Sequence, residues 1–206
     1  MSSSDLVRWG GLAAMLAGVA FIVLLLIPVA FMVLKLHPDA YPGSLFNVFG
    51  VVLFIAAWVL LVVGLAGFHA LQKERYGLIG HAGFYTVIVG ASAQIVAGVG
   101  LALGSTALEL LDFPGVLVMM IGLALYGVAT LQARVLARWC AVGFIVGLPA
   151  WRAISVIAQY GGPLGGTIGW TLGGMLFGFL WLALGYILWS ASGAAAGFPR
   201  TPYTGS

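Results

Sequence analysis

The stretch Leu45–Leu71, LFNVFGVVLFIAAWVLLVVGLAGFHAL, decides the fold. It runs for 27 residues without an Asp, Glu, Lys or Arg. At about 1.5 Å of rise per residue, a helix of that length covers about 40 Å, more than the roughly 30 Å hydrocarbon core of a bilayer. In hydrocarbon a backbone finds no water, and a helix satisfies its own N–H and C=O groups within one segment. The run reads as a membrane-spanning helix.

Working outward, the same reading applies to Leu12–Leu34, His81–Leu103, Phe113–Ala133 and Thr167–Trp189. Trp139–Trp151 supplies only 13 uncharged residues before Arg152, too few to cross, whereas continuing to Gln159 gives 21. Pro149 within it is expected to kink a helix and free a backbone carbonyl. The segment is a sixth span or a re-entrant piece that leaves five. The N-terminal run Gly10–Leu34 exceeds the 7–15 apolar residues of a secretory signal and reads as a retained first span. The expectation is an all-α, polytopic transmembrane bundle of six spans over residues 1–190, with a flexible cytoplasmic tail over 191–206.

The composition agrees. Of 206 residues, 63% are hydrophobic and 6% charged, where a soluble domain carries about 25% charged residues. That excludes a soluble globular enzyme and a disordered chain. The net charge of +3 is spread thinly and forms no basic block, so nucleic acid is not an expected partner. The single Cys140 excludes an internal disulfide.

Charge placement orients the chain. With six spans and the N-terminus inside, Arg8, Lys73, Arg75, Arg134, Arg138 and Arg200 fall on the cytoplasmic side and only Lys35 and Arg152 outside. That 6:2 division obeys the positive-inside rule. Asp39, Glu109 and Asp112 then lie in outer loops, the second of which is read as 105–112. Arg usage over Lys suggests a GC-rich bacterial genome, hence a bacterial plasma membrane. The segments Gly67–Phe84 and Gly127–Phe144 align without gaps at five positions, including Gln72 with Gln132, and suggest an internal repeat.

Few residues carry chemistry. Arg152 is a cation inside a span, which is costly and by default functional. It is read as a holder of an anionic headgroup or carboxylate, against the plainer reading that its stem snorkels to the headgroups. Gln94, central in the third span, is a candidate ligand contact, and the mid-span Trp58 and Trp181 are candidates to line an apolar cavity. His69 and His81 sit at matched depth on one hairpin and are the candidate ligands for a metal or haem iron; no cofactor is otherwise expected. Gly100, Gly104, Gly165, Gly169, Gly173, Gly174 and Gly178 are candidate helix-packing positions, with a homo-oligomer seam on the last span as the sharper alternative. Trp9, Trp139, Trp170 and Trp189 read as interfacial belt residues.

No nucleophile–base set or metalloprotease helix is present. The expectation is therefore a non-enzymatic membrane protein, a structural or accessory subunit that binds lipid or a membrane protein partner. The alternatives are a small-solute transporter or channel, and a His-ligated cofactor protein.

Overall fold

The computed structural model describes residues 3–33 and 45–196. Lys35, His37, Asp39, Arg200 and the tail from residue 197 lie outside the described residues. Seven helices follow in order: α1 Ser3–Val33, α2 Leu45–Gln72, α3 Gly77–Leu103, the short α4 Thr106–Glu109, α5 Asp112–Ala133, α6 Arg138–Gln159 and α7 Gly162–Ala196. No strand occurs among the described residues. Six segments are long and apolar enough to cross a membrane, and Arg138–Gln159 is one of them. The doubtful segment is thus one continuous helix through Pro149. Helix α7 continues to Ala196, past the boundary expected at residue 190.

The long helices close into a ring in the order α1, α2, α3, α5, α6, α7 and back to α1. Lipid offers no hydrophobic drive between helices, so close backbone approach through small residues supplies the attraction. A Cβ placed on Gly10 would stand 2.5 Å from Gly67 Cα, and one on Gly18 2.5 Å from the Gly178 carbonyl oxygen. The same device joins α3 to α5, where a Cβ on Gly83 would meet Tyr126 N at 2.6 Å. These are places where only hydrogen fits.

The expected packing glycines divide. On α7, Gly165 and Gly169 press on α6 at Ala158, Gly173 and Gly174 on Trp151, and Gly178 on Ile22 of α1. Those glycines pack within the chain, against α6 and α1. Gly100 packs against Leu108 of α4. Gly104 meets nothing within 4 Å; it caps α3 at φ 65°, a left-handed conformation that favours glycine.

Rings fill the centre. Phe21 of α1 contacts Trp58, Trp151 and Phe177 edge-on, with centroids 5.0, 6.0 and 5.4 Å away. Phe68 reaches Phe144 across the bundle at 5.3 Å. Such aromatic pairs contribute about 0.5–1.5 kcal/mol each beyond the area they bury. Leu61, Leu65, Leu184 and Leu188 complete the interior and are fully buried.

Candidate functional site

The loop expected at 105–112 is a broken helix instead. After the turn at Gly104, α4 starts the span Thr106–Ala133, and α5 resumes at Asp112 after Leu110 and Leu111. Asp112 therefore sits six residues inside a span rather than in an outer loop. Arg152 lies seven residues before the end of α6, Gln94 nine before the end of α3, and Trp170 eight after the start of α7. At about 1.5 Å per residue, Arg152, Gln94 and Trp170 stand about 10–13 Å from the ends of their helices, and Asp112 opens α5.

The four meet. The Arg152 guanidinium stands 3.6 Å from an Asp112 carboxylate oxygen and 4.8 Å above the centre of the Trp170 indole. The Arg152 side chain is 26% exposed. The buried Gln94 amide donates to the Asp112 backbone carbonyl at 2.7 Å. Trp151 donates its indole N–H to the Trp170 carbonyl at 3.1 Å, which fixes the two rings beneath the cation. The Arg152 Nε is buried and has no partner among the described residues.

Of the expected site residues, Arg152 and Gln94 are thus brought together, both on Asp112. Asp112, Trp151 and Trp170 were missed as members of the site. Trp170 serves as a platform for the cation. The available signal was Arg152 itself, since an intramembrane cation calls for a partner from a neighbouring helix. Trp58 and Trp181 lie in the aromatic centre, away from this cluster, and both indole N–H groups are buried without an acceptor among the described residues.

The opposite end of the bundle holds the histidines. Tyr76, in the turn between α2 and α3, is buried, and its hydroxyl is hydrogen-bonded to His69 Nδ1. His81 Nδ1 bonds the Gly77 carbonyl at 2.8 Å, so its Nε2 is the open acceptor. Burial keeps the Tyr76 phenol protonated well above its usual range. The His69 and His81 rings touch at 5.2 Å, and His69 stacks on Phe84 at 4.1 Å. Rings in direct contact stand closer than two axial ligands on opposite faces of one haem. Gln72 is buried beside them and reaches the Tyr126 hydroxyl at 3.4 Å, while its repeat counterpart Gln132 is exposed.

A chain of ring contacts joins the two ends. It runs Trp170, Trp151, Phe177, Trp181, Phe144, Tyr126 and Tyr76 to His69, with no step above 6.2 Å. A separate cavity of ≈ 250 Å³ opens beside the start of α1, lined by Asp5, Arg8, Trp9, Leu12 and Trp189. Trp9, Trp139 and Trp189 are exposed near helix ends, as belt residues are.

Fold and site together define a multi-pass α-helical membrane protein with a solid aromatic interior and a charged cluster within its membrane-spanning part. Set against known protein families, curated proteins and solved structures, the chain matches none.

Proposed function

We propose that this chain is a non-enzymatic component of a bacterial plasma membrane that works by binding a partner protein or lipid, with both ends on the cytoplasmic side. The observation that carries the reading is the filled interior. Trp58, Trp181, Phe177, Phe144, Leu61 and Leu184 are each at most 2% exposed, and they separate the Arg152 cluster from the His69 cluster. A protein whose centre is closed to solute acts through its surface and its polar ends. Short connections, such as the four residues between α2 and α3, leave the surface of the bundle itself as the place of contact. The 6:2 division of cations supports the orientation.

A second reading is transport of a small anionic or neutral solute. The broken span at Leu110–Leu111, Pro149 in α6 and the Arg152–Asp112 pair favour it, because transporter sites form where helices are interrupted.

Native mass spectrometry of the protein extracted gently from its own membrane tests the first reading. Co-purification of a second polypeptide in fixed ratio is the expected result. A bare monomer that also drives solute flux in liposomes, lost in Arg152→Gln, moves the assignment to transport.

A further inference from the structure

Arg152 has five N–H donors, and within the described residues none of them makes a hydrogen bond. Its nearest carboxylate oxygen, on Asp112, stands at 3.6 Å, beyond the roughly 2.7–2.9 Å of a charge-assisted N–H···O⁻ bond. The guanidinium is nevertheless firmly placed. Its plane is underlaid by Trp170 at 4.8 Å and Trp151 at 5.8 Å, and the platform is locked by the Trp151-to-Trp170 hydrogen bond. Asp112 is in turn fixed by Gln94 through its backbone, which leaves its carboxylate half exposed. The arrangement is a positioned cation with unused donors, a stacking surface and a carboxylate held just out of hydrogen-bonding range. Apolar side chains exposed on the surface of the bundle flank it: Phe113 beside Asp112, and Val156 one turn from Arg152.

We propose that Arg152 is the binding group of a site for a phosphate oxyanion, with Trp170 as its platform and Asp112 as the resident carboxylate the oxyanion displaces. The planar guanidinium fork matches two oxygens of a phosphate in a way a point charge does not. Stacking on indole strengthens the cation's hold without consuming its N–H groups. Asp112 opposes the incoming anion by like charge, and when the site is empty it keeps the buried cation from standing alone. The phosphate is a phospholipid headgroup or a free one. The exposed Phe113 and Val156 favour the lipid, whose tails would lie along them. This site is independent of whether the bundle has a protein partner.

The test uses the full chain in maltoside micelles, which carry no phosphate. One arm titrates phosphatidylglycerol, read as lipid adducts by native mass spectrometry; the other titrates inorganic phosphate, read by tryptophan fluorescence. Binding of phosphatidylglycerol alone assigns the headgroup, and binding of both assigns a free oxyanion. In either case Arg152→Gln weakens binding at least tenfold, as loss of a hydrogen bond to a charged group worth about 1.5–3 kcal/mol requires. Arg152→Lys keeps the charge and recovers only part of the affinity. Asp112→Asn tightens binding, the sign a merely structural ion pair does not give. Equal affinity in wild type and Asp112→Asn, with helical content unchanged, overturns the proposal even where Arg152→Gln fails to fold. So does an absence of binding in both arms.

Discussion

Replacing Trp181 by alanine and, separately, by phenylalanine distinguishes a packed centre from a ligand cavity. Trp181 is 1% exposed and lies between Phe144 at 5.9 Å and Phe177 at 6.2 Å. In water-soluble cores a Trp→Ala change costs about 3–5 kcal/mol, part of it transfer and part the cavity left behind. Within a micelle the unfolded helices also avoid water, so the cavity part dominates. At about 24 cal/mol per Å³, a residual cavity of about 100 Å³ costs about 2.4 kcal/mol. Against this stands relief of the Trp181 indole N–H, which is buried without an acceptor among the described residues and penalises the native state by about 1–3 kcal/mol. Phenylalanine keeps most of the ring and removes that N–H. Both variants lose that N–H, so the difference between them isolates the cavity, and Trp181→Ala is expected about 2 kcal/mol below Trp181→Phe. Unfolding in mixed maltoside and dodecyl sulfate micelles, followed by far-UV circular dichroism, reads both. A Trp181→Ala protein as stable as Trp181→Phe would show that the indole faces open space, and the filled interior would be refuted.

Other expectations rest on single contacts. Gly18→Val drives a side chain into the Gly178 carbonyl, 2.5 Å from its Cβ, and should abolish folding or lower stability by more than about 2 kcal/mol; Gly50→Ala, with nothing within 4 Å, should be neutral or stabilising in the same titration. Gln94→Leu removes one interhelical hydrogen bond and should cost about 0.6 kcal/mol, the membrane average. Tyr76 is held protonated by burial, while in the unfolded chain it ionises near 10.0. Its contribution is complete below that pH and lost as pH rises above it, so alkaline unfolding curves should show a slope that Tyr76→Phe reduces. Cysteines introduced at Glu74 and Gly161 should label from opposite sides of the membrane; labelling from one side would remove a crossing.

The spans were legible because hydropathy over a length is what a bilayer selects, and six segments follow from that alone. Even the doubtful fifth could be read through Arg152 to Gln159. Who faces whom was less legible. The helices are apolar on nearly all sides, so no polar stripe marks the inward face, and rotation is set by packing. Gly173, Gly174 and Gly178 were legible as packing positions, yet the residues they meet, Trp151 on α6 and Ile22 on α1, could not be deduced. Gly104 looked like its neighbours in spacing and turned out to be a cap. Asp112 was misplaced because its flanking residues end one apolar run and begin another, which resembles a loop. Its partner on the neighbouring helix was visible only as Arg152. The hydroxyl of Tyr76 on His69 depends on a four-residue turn folding back, and no periodicity announces that.

The central claim is that the bundle is closed through its middle and does its work at the surface and the polar ends. Leu61 on α2 and Leu184 on α7 are wholly buried between those ends. Each is changed to cysteine in a Cys140→Ala background and exposed, in native membranes, to a membrane-impermeant thiol reagent on both sides. Neither position should label until the protein is unfolded in dodecyl sulfate. Labelling of either cysteine in the folded protein would reveal a water-filled path and contradict the closed bundle.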